Sequence, residues 1–237
     1  MKIIQAHYEI QTPISEGGIE ELKLIEKVAR TCYKSEDKIT EDGESAKKII
    51  SNLINVNHEA MLEHSFLSVR FWIDRAIATE VVRHRLFSFA QESTRYVNYS
   101  KDKYGNEINV IDINPCLAND PKMKNVDSDA LGAVYVEWLK AMEDSEKHYM
   151  NMIELGASPQ TARSVLPNST KTELNVSGNY REWRHFFKLR CDKAAHPQIR
   201  EVAIPLLKEL QRKIPIIFDD IVVDEDFIFP EVNNEQE

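Results

Sequence analysis

Between Val81 and Tyr99 the chain reads VVRHRLFSFAQESTRYVNY. Arg83, His84 and Arg85 stand together, Ser93 lies eight residues beyond Arg85, and Arg95 two beyond that, with Ser88, Gln91 and Glu92 between. Guanidinium groups grip phosphate bidentately, keep their charge in a dry pocket and stack on flat rings. An Arg-His-Arg run could merely complement the negative end of a helix dipole. Here the polar residues continue into a loop-like segment interleaved with Phe87, Phe89 and Tyr96, and a solvated helix end has no need of that second half. The stretch therefore reads as a grip for a small anion. Ser93, Thr94 and Arg95 offer a hydroxyl, backbone N–H groups and a guanidinium within one turn.

Composition narrows the anion. The 237 residues fit one large domain or two small ones, and 42% hydrophobic residues suffice for a core. A net charge of −9 argues against a general nucleic-acid binder, so the arginines act locally on small ligands. Cys32, Cys116 and Cys191 are odd in number and form no CxxC pair, which points to reduced thiols and a cytoplasmic protein. The start, MKIIQAHYEI, alternates and carries charge, so no signal peptide is expected, and no apolar run approaches the ~20 residues of a membrane span.

The elements that must position these groups follow from periodicity. Residues 2–10 alternate and predict a strand; 20–34 and 44–56 predict helices, with Leu22, Leu24, Ile25 and Val28, then Ala46, Ile49, Ile50, Leu53 and Ile54, toward a core. Residues 65–73 (SFLSVRFWI) and 170–177 (TKTELNVS) read as strands. Residues 75–86 read as a helix that would set Glu80, Arg83 and His84 on one face. Residues 98–126 read as loop with a short strand at 108–113. A long helix follows over 127–155, with a stripe of Leu131, Val134, Tyr135, Trp138, Leu139 and Met142. Helices are also predicted from about 178 to 190 and from His196 to about 213. The sum is an α/β chain of the α+β type: antiparallel strands packed against helices in one domain over 1–230, with a polar tail at 231–237.

His58, Glu59, Glu63 and His64 invite a zinc reading, but the HExxH spacing would need His at 62, where Leu62 stands. No metal is expected. No G-x-G-x-x-G occurs, so a Rossmann-type dinucleotide site is not expected either.

The run Arg83-His84-Arg85, Ser88, Ser93, Arg95 fills every fixed position of R-H-R-x-x-S-x-x-x-x-S-x-R and resembles the signature of the flavin-dependent thymidylate synthases. Residues 58–64 resemble that family's G-H-x-x-x-x-E-H element, with Ala60 where the family often has Thr or Ser. Ala162-Arg163 to Leu166-Pro167 resembles its Ala-Arg-x-x-Leu-Pro element, and residues 179–190 its N-x-R-x-x-x-(N/H)-F-x-x-L-R run. Glu80 departs from the family, which commonly has Gln there. A carboxylate beside a substrate phosphate is repulsive unless it turns to an Arg or a sugar hydroxyl.

The resemblance implies an enzyme that makes dTMP from dUMP. Methylenetetrahydrofolate would be the carbon donor, FAD the redox cofactor and NADPH the reductant, in a homotetramer whose sites draw on several subunits. It assigns His58, Ala60, Arg83, His84, Arg85, Gln91, Asn179, Tyr180, Arg181 and His185 to the flavin. Glu80, Val81, Val82, Arg83, Gln91, Glu92, Ser93, Thr94, Arg95, Arg163 and Arg190 fall to dUMP. Arg190, near uracil N3 and O2, would favour the ionised base electrostatically, without an enzyme cysteine adding to the ring. Two other readings compete. A Cys-dependent synthase would have to use Cys116, which lies in a polar loop with no His beside it in sequence. A nucleotide- or flavin-binding module without methyltransferase activity would use the same arginines and aromatics for binding alone.

Overall fold

A computed structural model describes residues 1–229; the tail assigned to 231–237 lies outside them. Four strands form one antiparallel sheet in the order β2 (His7–Ile10), β3 (Phe66–Asp74), β6 (Lys171–Asn179), β4 (Ser88–Gln91). β3 and β6 pair along their whole length, from Phe66 opposite Asn179 to Asp74 opposite Lys171. Their alternation sends Leu67, Val69, Phe71, Ile73, Leu174 and Val176 to one buried face. Helices α7 (Tyr180–Arg190) and α8 (Pro197–Lys213) pack on that face. Trp183 of α7 is fully buried and donates its indole N–H to the Leu67 carbonyl, 3.1 Å away. Helices α1 (Ile19–Tyr33) and α2 (Glu44–Asn55) pack on each other and complete this core. Leu22, Ile25 and Ile50 face it as expected, whereas Leu24 is 46% exposed.

The long opening strand divides. β1 (Lys2–Ile4) pairs in parallel with β5 (Asn109–Ile111) in a separate two-stranded sheet, and β2 joins the main one. The break falls at Gln5-Ala6, where the Gln5 amide turns to donate to Asp112 Oδ2 at 3.0 Å. The predicted loop 98–126 contains a short helix, α4 (Asn114–Asn119), opened by Pro115 in its first turn, a position where proline's missing N–H costs nothing. α5 (Ser128–Glu154) buries only Met142 and Tyr149 among its 27 residues, so most of the stripe read into it does not reach this chain's core. α6 (Pro159–Ala162) follows it.

The correction that matters for the site concerns residues 75–86. Asp74 Oδ1 accepts the Ile77 N–H at 2.6 Å and caps helix α3 (Arg75–Val81), which stops five residues short of the expected end. Two tight turns follow, His84 N–H to Val81 O and Phe87 N–H to His84 O, both 3.1 Å. The chain then becomes β4, an element hidden in what read as a polar loop. Packing explains the early exit: Phe87 is drawn into the core against Trp183, ring centroids 4.7 Å apart, above Gly178 of β6. A Cβ at position 178 would sit 2.1 Å from Phe87 Cδ1. Gly178→Ala is therefore expected to cost about 1–3 kcal/mol in overpacking, measured by urea denaturation. It should also perturb the Arg83–Arg85 turn that Phe87 anchors. An unchanged midpoint would mean that Phe87 does not hold this turn.

Candidate active site

Two groups of sequence-singled residues assemble, one at each side of β4 along the chain. The first is built by the α3–β4 turn and the outer face of α7. Arg190, at the last position of α7, donates from Nη1 to Glu80 Oε2 at 2.8 Å, from Nη2 to the Glu80 carbonyl at 3.0 Å and from Nε to His84 Nε2 at 3.1 Å. Because α3 stops at Val81, Arg83 leaves the helix face and the Glu80 carboxylate turns to Arg190.

With Nε2 accepting, the assigned His84 tautomer carries its proton on Nδ1, which faces Glu182 Oε1 at 3.4 Å. Burial and then the charge of Arg190 push the His84 pKa down to about 4, so the ring is neutral at physiological pH. The sign follows: this neutral ring contributes stability above its ordinary pKa near 6.5, and the contribution is lost as pH falls toward 4. His84 was read as a potential cation; the structure makes it a neutral hydrogen-bonding group.

Arg83, His84, Arg85, Leu86, Glu182, His185, Leu189 and Arg190 line a cavity of about 290 Å³. Leu86, Glu182 and His185 also line a neighbouring one of about 710 Å³, with Asn179, Arg181 and Lys188. Arg83 and Arg85 are exposed, and among the described residues neither guanidinium has an ion-pair partner. A third cavity, about 350 Å³, is lined by His58, Ala60, Met61, Tyr33 and Arg181. It touches the second through Glu59 and Arg181. Asn57, standing where the resembled element has Gly before its His, takes φ 57°. That left-handed conformation is one Asn tolerates better than other side chains, so the substitution keeps the turn that presents His58.

The second group gathers at the exit of β4. Thr94 is buried, and Arg163 Nη1 reaches its Oγ1 at 3.5 Å. Arg95 donates from Nε to Gln160 Oε1 at 2.8 Å and lies 5.5 Å over the Tyr96 ring. Ser93 Oγ accepts the Arg95 N–H at 3.4 Å. Arg95 and Arg163, distant in sequence, thus flank Ser93-Thr94 as expected. Glu92 is otherwise engaged: Lys171 Nζ lies 2.9 Å from it and the Tyr99 hydroxyl donates to it at 2.8 Å. Gln91 donates to Thr172 Oγ1 at 3.3 Å. Among the described residues no hydrogen bond joins this group to the Arg190 group.

Several assigned residues are placed differently. Tyr180 is 1% exposed and packs on Phe218, so its side chain faces the core and only its backbone could meet a ligand. The cause is position: it is the first residue of α7, on the face that seals the sheet. Val81 is buried too, and Val82 packs partly against the same core. Asn179 caps α7, accepting the Glu182 N–H at 2.9 Å, which leaves its amide N–H₂ for other use. Arg181 pairs with Glu63 across the mouth of the second cavity.

Cys116 was read as having no His beside it. Its Sγ lies 3.9 Å from His196 Nδ1, because α4 packs against the start of α8. Burial, with Asp74 and Glu201 nearby, nonetheless pushes the thiol up to about 12. It stays protonated, and His196 Nδ1 accepts the Gln198 N–H of its own helix at 3.3 Å. A thiolate nucleophile is not available there. The residue that sequence reasoning missed is Glu182, 5% exposed on the wall shared by two cavities. Its three-residue spacing from His185 on α7 was the signal.

Residues 19–216 match the family described as thymidylate synthase complementing protein. A flavin-dependent thymidylate synthase of Corynebacterium aurimucosum is 34% identical over 212 residues, 87% of this chain and 82% of that protein. One from Mycobacterium marinum is 35% identical over 207 residues, 84% of this chain and 79% of that protein. Among solved structures, a UMP/dUMP methylase, PolB, from Streptomyces cacaoi bound with 5-Br dUMP has the same fold. Its TM-score is 0.75 at 23% identity, over 92% of this chain and 95% of that one. The antiparallel strands packed against helices, expected from periodicity, are found in the four-stranded sheet, with the parallel β1–β5 pair added beside it. With the Arg-His-Arg turn, the Arg163 element and the Arg190 helix in place, the chain belongs to the flavin-dependent thymidylate synthase family.

Proposed function

We propose that this enzyme methylates C5 of dUMP to give dTMP, with methylenetetrahydrofolate as carbon donor, NADPH as reductant and FAD as redox cofactor. We further infer a cytoplasmic homotetramer whose sites are shared between subunits. The observation that carries the reading is the seating of Arg190. Three of its five N–H donors are fixed by Glu80 and His84 on the wall of a cavity, and two remain to meet a ligand. A uracil O2 and N3 placed there would have developing negative charge stabilised by an already oriented guanidinium. Ionising the base raises electron density at C5, the carbon that must act as nucleophile.

FAD fits the residues present. Its diphosphate needs cations that the protein does not itself neutralise, and Arg83 and Arg85 are such groups in an acidic chain. His185, exposed between the two cavities, and the free amide of Asn179 would orient the ring system. When bound, the flavin supplies the electrons that complete the methyl group. Ser93, Thr94, Arg95 and Arg163 would hold the nucleotide phosphate. That no hydrogen bond joins them to the Arg190 group is in keeping with a site completed by a second copy.

The experiment is an absorption spectrum of the purified protein before and after dUMP. Oxidised-flavin bands that shift on adding dUMP are expected. A colourless protein that cannot be reconstituted with FAD would overturn the reading.

A further inference from the structure

Glu182 and His185 have the Glu-x-x-His spacing that puts a carboxylate and an imidazole on one helix face, an arrangement helical metal sites use. The turn after α3 brings His84 to the same place. One ligand atom from each of the three lies within 4.8 Å of the other two, and His84 Nδ1 and Glu182 Oε1 are 3.4 Å apart. Donors 2.0–2.1 Å from a tetrahedral ion lie about 3.3–3.4 Å from each other, so one edge of such a polyhedron is already set. His185 is exposed and free to supply the third corner.

Glu182 gives an independent observation. It is 5% exposed, and among the described residues its carboxylate has no nearer cationic or donor partner than His84 Nδ1. A buried carboxylate without a strong donor leaves a place for a cation.

We propose that His84, Glu182 and His185 form a site for one late first-row divalent ion, Co²⁺, Ni²⁺ or Zn²⁺, filled only when the flavin is absent. Two imidazoles and one carboxylate are a donor set that late first-row divalent ions accept. Coordination at Nδ1 moves the ring proton to Nε2 and breaks the bond from Arg190 Nε, while Arg190 keeps both contacts to Glu80. Arg83, Arg85 and Arg190 around the cavity oppose a cation, so binding weaker than at a dedicated metal site is expected. The exclusion of flavin rests on the reading above that His84 and His185 face the cofactor; the metal site itself does not.

The test is Co²⁺ titration of the full chain after flavin removal. One equivalent should give visible ligand-field bands, which Zn²⁺ then bleaches. His185→Ala, at an exposed position that folding does not need, should weaken binding at least tenfold. Absent bands, or a variant that titrates like the wild type, would overturn the site. FAD added to the Co²⁺ form should remove the bands; bands unchanged at saturating FAD would overturn the exclusion alone.

Discussion

Arg190→Ala is expected to lower tritium release from C5 of labelled dUMP by at least about 10²–10³, the loss typical of removing one preorganised donor from developing charge. The flavin should remain bound. The side chain sits at the hub of its group, 18% exposed, with Glu80 and His84 both aimed at it. Removing it takes away the guanidinium that the base would meet and leaves the Glu80 carboxylate facing the same space. A negative charge there opposes ionisation of uracil, so the loss should exceed that of a simple hydrogen-bond deletion. Arg83, Arg85 and Arg181, assigned to the cofactor, are untouched, whereas His84 loses its Arg190 partner, so a flavin that stays bound, even with a shifted spectrum, separates this outcome from unfolding. Arg190→Lys keeps the charge but not the three-way fork, and should recover only part of the rate. Tritium release at the wild-type rate in Arg190→Ala would remove the residue from its role.

How much of this was legible in the sequence depends on what each residue's surroundings demand. β3 and β6 could be read because one face is wholly buried and the other is not, so the alternation survives in SFLSVRFWI and TKTELNVS. β4 could not. Its four residues, Ser88–Gln91, lie at the sheet edge beside β6 alone and carry no alternation strong enough to stand out from the polar run. The end of α3 was misplaced for a related reason: helical propensity runs on past Val81, and only the distant contact of Phe87 with Gly178 and Trp183 overrides it. Arg163 could be singled out only through the resemblance of Ala162–Pro167 to a family element, and the structure brings its guanidinium to Thr94 beside Arg95. The burial of Tyr180 could not be read, since adjacency to Asn179 and Arg181 says nothing about which way a helix's first residue turns. His84 shows the same limit in electrostatics. Residue type alone leaves its charge open, and burial together with Arg190, distant in sequence, keeps it neutral.

Arg95→Ala is expected to weaken dUMP binding about 10- to 150-fold, the range of a charge-assisted hydrogen bond worth roughly 1.5–3 kcal/mol. Arg95 and Arg163 flank Ser93-Thr94, and among the described residues neither is matched by a carboxylate; the nearest acid in sequence, Glu92, is held by Lys171. Gln160 fixes Arg95 Nε and leaves the two terminal nitrogens for a bidentate grip. Arg95 is exposed, so the variant should fold, and the spectrum of its bound flavin should not change. Two controls isolate the phosphate. Deoxyuridine, which lacks it, should bind wild type and variant alike. Arg163→Ala combined with Arg95→Ala should cost less or more than the sum, because two guanidiniums that share one phosphate are not independent. Equal losses for dUMP and deoxyuridine would move Arg95 from the phosphate to the base or sugar, and an unchanged dUMP affinity would take it out of the nucleotide site.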